Sequence, residues 1–328
     1  MGLVGIAKLV ASGELLAAKR AVEYFELPTR RMLNRTSERM PFQWTINPYR
    51  GCEFGCVYCY ARYTHEFMEM DAVSGFERKI FAKQFHAASL GAELRKIDRK
   101  DWIAIGTATD PYQPAERRFE VTREILKVFA AGRGRRLSVT TKSDLVLRGL
   151  DLFRQIARAN VFHVNFTLTT MDEKLAQLLE PRATRPGLRM AAARRLAQSG
   201  IQVGVFPNPV MPLLTDGEES LDAVAGAAAE AGATFLGGGL LFLKPCAKQV
   251  FVPFLERHFP RLAPEYERLY RSGAFLRGAY AERIGERLRH VRERHGLRDA
   301  PIEYTPELWE REPQQGSLFE STCAVRSS

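Results

Sequence analysis

The sequence predicts an α/β fold: a partial (β/α)6 barrel, open on one side, with a helical C-terminal extension. Three observations carry this. Between Phe42 and Leu243, short apolar runs alternate with longer stretches of helical periodicity, the pattern of a parallel sheet. After Phe251 only helical, highly charged periodicity remains. At 328 residues and 45% hydrophobic content, the chain is long and apolar enough for one large core.

Taken in order, residues 1–40 read as an N-terminal extension. Gly5 to Tyr24 carries Ile6, Leu9, Val10 and Leu16 near helical spacing, and a basic linker follows with Arg30, Arg31, Arg35 and Arg39. The barrel core is expected over 41–260. Its first strand is Phe42 to Ile46. Arg78 to Lys96 is expected to be helical. Further strands are Trp102 to Gly106, Leu137 to Thr141, Val161 to Thr169 and Ile201 to Phe206, with a sixth inside Thr234 to Leu243. Helices are expected at Val121 to Ala131, Leu150 to Ala159, Asp172 to Leu179, Gly187 to Gln198 and Ser220 to Ala231. Beyond the core, 261–300 is helical and 301–328 a polar tail without fixed structure. Glu and Arg interleave along Gly278 to His295, the pattern of a salt-bridged solvent face.

Composition narrows the classes. No apolar run approaches a membrane span, because the longest, Ala233 to Leu243, is short and ends at Lys244. Lys8 interrupts the first apolar stretch, which argues against a secretory signal, and Ile6 stands where N-myristoylation wants Ser or Thr. Five cysteines, three of them clustered, suit a reducing cytoplasm better than a disulfide framework. The net charge of +10 favours a polyanionic partner such as nucleic acid, and equally suits an arginine-rich composition that reflects a GC-rich genome.

The chemistry is concentrated in Asn47-Pro-Tyr-Arg-Gly-Cys-Glu-Phe-Gly-Cys-Val-Tyr-Cys-Tyr60. Cys52, Cys56 and Cys59 form a C-x3-C-x2-C array, and soft thiolates suit iron–sulfur clusters. Such clusters ordinarily take four cysteines, so three leave one iron open to a non-protein ligand. Structural zinc is the other reading, with His65 as the fourth ligand.

With its aromatic residue at Tyr58, this array resembles the cluster loop of the radical S-adenosylmethionine (radical SAM) enzymes. The wider string NPYRGCEFGCVYCYAR resembles a narrower branch, the spore photoproduct lyase-like or "DNA repair photolyase" group. The resemblance extends from about Pro41 to about Pro260. It includes Gly106-Thr-Ala-Thr-Asp-Pro-Tyr-Gln-Pro-Ala-Glu116, Thr140-Thr-Lys-Ser143, Glu180-Pro-Arg182 and Pro207-Asn-Pro-Val-Met-Pro212 in the same order. It implies a TIM-like partial barrel of the radical SAM type, whose ligands sit at the carboxyl ends of the strands.

The resemblance also implies cofactors and roles. A [4Fe–4S] cluster on Cys52, Cys56 and Cys59 would bind S-adenosylmethionine through its open iron. Thr107, Thr109 and Asp110 would accept hydrogen bonds from the amino or ribose groups. Lys142, Ser143, Asn165 and Arg189 would hold the carboxylate and ribose, with Tyr58 and the backbone near Val205 against the adenine. One electron from a reductant such as flavodoxin or ferredoxin would cleave the cofactor to a 5′-deoxyadenosyl radical, which takes a hydrogen atom from the substrate. Spore photoproduct lyase proper is similar in having a cysteine near the second strand's end that returns hydrogen to the product. This chain has Thr107-Ala108-Thr109 there, so Cys246 is the candidate donor, or else a buried structural cysteine. Near the end, Gln315-Gly-Ser-Leu-Phe319 resembles the short peptides that dock on the bacterial sliding clamp. Three functions follow: a radical SAM enzyme on a nucleic-acid lesion or modified nucleotide, one on a small molecule or peptide, or a non-catalytic iron–sulfur or zinc protein that binds nucleic acid.

Overall fold

The computed structural model describes residues 5–11, 15–19, 22–38 and 40–309. Arg39, Cys323 and the Gln315 to Phe319 motif lie outside the described residues. Among the described residues eleven strands form two sheets: β1 Leu15–Lys19, β2 Val22–Leu27, β3 Leu33–Arg35, β4 Trp44–Ile46, β5 Tyr49–Arg50, β6 Lys79–Lys83, β7 Trp102–Ile105, β8 Arg136–Thr141, β9 Val161–Thr167, β10 Gln202–Phe206 and β11 Phe235–Leu236.

The larger sheet has the order β11-β10-β9-β8-β7-β4-β3. From β4 to β11 all pairings are parallel and follow chain order, while β3 caps one edge antiparallel. Parallel order without reversal curls a sheet one way, and β11 pairs with neither β3 nor β4, so the barrel stays open. Every residue of β9 is buried, as expected of a central strand covered on both faces. Amphipathic helices Val121–Ala131, Leu150–Ala159, Pro186–Ala197 and Glu218–Glu230 cover the outside, and their buried stripes join one core.

Four sequence expectations change. Gly5 to Tyr24 is helical only at Gly5–Ala11, and β1 and β2 follow as an antiparallel pair. Arg78 to Lys96 splits into β6 and helix Ala87–Leu94. The two changes have one cause: Ile80, Phe81 and Ala82 are a continuous apolar run that is buried when β6 pairs between β2 and β5. Residues 22–27 therefore belong to the body of the protein, not to a detached extension. The sixth strand shrinks to β11. At Gly237 and Gly238 a Cβ would meet Phe206 Cε1 at 2.6 Å and Leu288 Cδ1 at 2.8 Å, so the chain passes there too closely to carry side chains. Finally, 301–309 pack against the barrel. The Phe162 N–H donates to Tyr304 Oη at 2.9 Å, and Trp309 Nε1 donates to the Ala159 carbonyl at 2.7 Å.

Helix Pro245–His258 leads out of the sheet, and helices Ala263–Leu269 and Ala279–Arg294 follow it. In the last of them Arg294 pairs with Glu218 and Asp222 at 2.9 and 2.8 Å.

His163 plugs the barrel interior between the Trp102 and Phe235 rings, centroids 5.1 and 5.4 Å away. Burial alone pushes its pKa down to about 3. An unfolded chain takes up this proton below the ordinary histidine value near 6.5, whereas the folded chain resists it. Stability should therefore fall as pH drops from about 6.5 towards 3, the range set by the ordinary and folded values. In urea titrations across this range, His163→Leu should show a shallower slope than the wild type. An unchanged slope would refute this role for His163.

Candidate active site

The cysteine loop leaves β5 and is shaped by its own glycines and by bonds to the body of the protein. Gly51 and Gly55 have φ of +77° and +63°. A Cβ at Gly51 would lie 2.5 Å from the Lys79 carbonyl, and one at Gly55 would lie 2.7 Å from Arg182 Nη2. Three backbone bonds tie the loop to the body: Cys52 N to Phe76 O (3.0 Å), Val57 N to Leu179 O (3.0 Å) and Arg182 N to Phe54 O (3.3 Å). Buried Gln113 clips it from above, accepting from Glu53 N and donating to Gly51 O, both at 3.0 Å. Arg62 secures the far end by donating to Val73 O and Glu77 at 2.7 Å and to Cys56 O at 3.4 Å.

The loop presents Cys52, Cys56 and Cys59 to a cavity of about 360 Å³ at the carboxyl ends of the parallel strands. Thr107 to Asp110 after β7, Lys142 after β8, Thr167 of β9 and Asn208 after β10 complete that rim. This is where a parallel βα sheet gathers loop residues from separate strands. Burial raises all three thiol pKa values, that of Cys56 to about 12 against the opposing pull of Lys142. A bound metal must displace those protons.

The three-thiol set fits an iron–sulfur cluster better than zinc. Among the described residues no group of three or more His, Cys, Asp or Glu side chains stands in a metal-binding arrangement, Cys52, Cys56 and Cys59 included, so the preference rests on thiolate softness and on the place of His65. His65 is elsewhere, with its Nε2 3.3 Å from the Lys79 carbonyl and its ring against Phe76 and Phe81. The remaining rim suits a ligand carrying a carboxylate and a flat ring. Lys142 Nζ makes no ion pair among the described residues, and lies 5.9 Å from the Tyr58 ring centroid.

The other site candidates separate into lining and supporting residues. Thr107, Thr109 and Asp110 line the cavity, but their side chains also brace it. Thr107 Oγ1 lies 2.5 Å from Thr45 Oγ1, and Thr109 Oγ1 donates to Tyr49 O at 3.1 Å. Asp110 accepts from Tyr112 N, Thr141 Oγ1 and Lys142 N at 2.9, 2.7 and 2.7 Å, so it sets the position of Lys142. Ser143 does not line the cavity; its hydroxyl caps the turn Asp144–Gly149 by accepting from Leu145 N at 3.2 Å. Asn165 also lies outside the lining, one layer down. It donates to Thr140 Oγ1 at 3.3 Å, and its Oδ1 is buried without a hydrogen-bond partner.

Arg189 corrects an expectation. Its guanidinium is buried, donating to Thr184 O at 2.6 Å, to Thr167 O at 2.9 Å and to the Glu180 carboxylate. The buried guanidinium lies outside the cavity lining and so does not face a cofactor carboxylate. Instead Glu180 accepts from the Tyr58 hydroxyl and from Thr169 Oγ1, so Arg189 acts through Glu180 to hold Tyr58 in place. Burial raises the Glu180 pKa, but Arg189 and Lys142 outweigh it and hold the carboxyl below its usual range.

Cys246 starts helix Pro245–His258 and is buried behind the cavity wall, with Sγ 3.9 Å from the Tyr60 carbonyl. The side chain that faces the cavity there is Tyr60, whose hydroxyl donates to Thr107 O at 2.5 Å. Tyr60, Phe206 and Phe242 were missed by sequence reasoning. Only Tyr60 had a usable signal, its place directly after Cys59.

Comparison with known proteins agrees with this geometry. The family model "Radical SAM superfamily" matches residues 46–224. An uncharacterized protein of Mycobacterium tuberculosis (strain ATCC 25618 / H37Rv) is 34% identical over 305 residues, 91% of this chain and 88% of that protein. An uncharacterized protein of Methanocaldococcus jannaschii is 28% identical over 78% of this chain and 90% of its own length. Among solved structures, spore photoproduct lyase with bound AdoMet and dinucleoside spore photoproduct superposes with a TM-score of 0.64 at 18% identity, covering 83% of this chain and 79% of that one. The family match takes in the whole cysteine loop and the strand ends of β7 to β10 that face it. The chain therefore belongs to the radical SAM superfamily and is an enzyme of the radical SAM class.

Proposed function

We propose that this enzyme takes a hydrogen atom from a nucleic-acid lesion or modified nucleotide. One observation carries the reading: the cavity that receives the three thiols is also lined by Tyr60, Phe206 and Phe242, aromatic side chains of the kind that suit a nucleobase. The charge of +10 and a fold shared with a lyase solved with a dinucleoside lesion support it.

In this reading Cys52, Cys56 and Cys59 hold a [4Fe–4S] cluster, while Lys142 neutralises the carboxylate of S-adenosylmethionine. When bound and reduced by a flavodoxin- or ferredoxin-like donor, this pair supplies a carbon-centred radical. The chain's own part is positional. Asp110 fixes the Lys142 backbone, the Arg189–Glu180 pair fixes Tyr58, and the aromatic wall keeps water from the reacting carbon.

The test is anaerobic reconstitution with iron and sulfide, then dithionite and S-adenosylmethionine. Release of 5′-deoxyadenosine, accelerated by ultraviolet-damaged DNA, is the expected result. Lys142→Ala should raise the S-adenosylmethionine KM by about tenfold or more, the worth of one charge-assisted contact. Cleavage indifferent to every nucleic acid, and accelerated instead by a small molecule or peptide, would replace the nucleic-acid substrate. A colourless zinc protein with no cleavage would overturn the enzyme reading of the site.

A further inference from the structure

The aromatic wall does not stop at the cavity. Tyr60 is the junction of two ring series that run outward. On one side Phe242 lies 5.8 Å from Tyr60, and Phe275 stacks on Phe242 at 4.0 Å with an interplanar angle of 11°. On the other side Tyr63 stacks near Tyr60 at 6.3 Å, and Phe67 meets Tyr63 edge-on at 5.4 Å. The outermost rings are bare: Phe67 is 64% exposed and Phe275 56%. Isolated exposed phenylalanines are ordinary, but these two end separate ring series that are rooted in one cavity.

Cations accompany the rings. Lys244 Nζ lies 3.6 Å from the Tyr63 centroid and 5.6 Å from that of Phe242, so it sits between the two series. It makes no salt bridge among the described residues. Arg277 lines a depression beside Phe275 and likewise has no carboxylate partner there. Rings for stacking with unpaired cations beside them are the two elements by which proteins hold unpaired strands without reading their sequence. A duplex buries its base faces and offers these rings nothing. A peptide or lipid partner gains less from two separated ring faces flanked by positive charge.

We propose that the Phe242–Phe275 and Tyr63–Phe67 series, with Lys244 and Arg277, bind an unpaired nucleic-acid strand whose bases stack outward from the one held in the cavity. This rests on the nucleic-acid reading of the site and sharpens it: the enzyme engages its target in single-stranded or locally opened form. The stacked bases on either side hold the target nucleotide out of a helix, and Lys244 meets the phosphate between them.

Fluorescence anisotropy of the anaerobically reconstituted full chain tests this, with a labelled single-stranded oligodeoxynucleotide of about 12 nucleotides, within the site sizes of single-strand grooves. The same sequence as a duplex is the comparison. The single strand should bind at least about tenfold tighter than the duplex, a difference equal to one lost stacking contact. Phe67→Ala and Phe275→Ala, each at an exposed position where folding is not at risk, should each weaken single-strand binding by about tenfold. Lys244→Gln should weaken binding and flatten its salt dependence by about 0.7 in slope, the signature of one lost phosphate contact on a single strand. Duplex bound as tightly as single strand, or Phe67→Ala and Phe275→Ala without effect, would overturn the inference while leaving the site reading intact. Failure of the wild type to release 5′-deoxyadenosine would instead overturn the underlying reading, whatever the binding data show.

Discussion

Replacing Cys56 by alanine should abolish iron loading and S-adenosylmethionine cleavage together, while leaving the fold almost unchanged. Loss of even an outer-shell partner typically costs 10–100-fold in metal sites, so removal of a ligand should leave less than about 1% of wild-type cleavage. The same is expected for Cys52 and Cys59. What separates this from a structural metal site is stability. The loop is held by Gly51 and Gly55 in left-handed conformations, by the Gln113 clip, by Arg62 and by three backbone bonds, none of which needs a metal. Thermal unfolding of the metal-free alanine variants should therefore match that of the metal-free wild type closely. Iron and sulfide analysis, with 5′-deoxyadenosine measured beside it, reads the first claim, and calorimetry the second. Cys246→Ala should keep its iron, because Cys246 packs behind Tyr60 and outside the cavity. Stoichiometric zinc in the wild type, with unfolding of the Cys56→Ala protein, would contradict the assignment.

Arg189→Met should be the most destabilising change near the cavity that touches no ligand. It strands the Glu180 carboxylate in a buried site, and breaking a buried pair from one side costs about 3–5 kcal/mol. Urea titration should show this loss. Removing the stranded charge as well, in Arg189→Met with Glu180→Gln, should recover more than half of it, because an amide still accepts from Tyr58 and Thr169. The pH dependence checks the cause. In the wild type the Glu180 carboxyl sits below its usual range, so its stabilisation is present above the unfolded carboxylate value near 4.3 and is lost as pH falls through the folded value. Without Arg189 burial dominates and raises that carboxyl, so the variant's penalty is greatest at neutral pH and shrinks towards acid. Penalties equal at neutral and acid pH would show that lost packing, not a stranded charge, is responsible. Tyr58 should also loosen, which raises the S-adenosylmethionine KM.

The two kinds of site residue were not equally legible. Cys52, Cys56 and Cys59 lie within one loop, so their array was legible from spacing, whereas Tyr58 was singled out by the family resemblance of that loop. Lys142, Thr107, Thr109 and Asp110 follow strand ends, and the rule that parallel sheets gather ligands there was enough to place them at the cavity. Arg189 and Ser143 met the same chemical criteria, yet the fold uses them for support. Whether a guanidinium faces a ligand or a carboxylate depends on Glu180, nine residues away on another segment, and no local pattern carries that. Arg78 to Lys96 shows the same limit at the level of secondary structure. Its apolar spacing fits a helix until β2 and β5 are present to pair with Lys79–Lys83.

The amino-acid sequence by itself determined the three-thiol loop, the parallel βα order from β4 to β10 and the end of the sheet at which the chemistry sits. All three follow from local spacing: ligands within one loop, apolar runs of strand length, and polar residues directly after them. Only the tertiary structure decided that Arg189 serves Tyr58 through Glu180, that Cys246 lies behind Tyr60, and that Tyr60, Phe242 and Phe275 form one surface. Those relations join residues separated by up to more than two hundred positions. Burial, ring stacking and charge pairing act through space, so they exist only once the strands have brought those positions together.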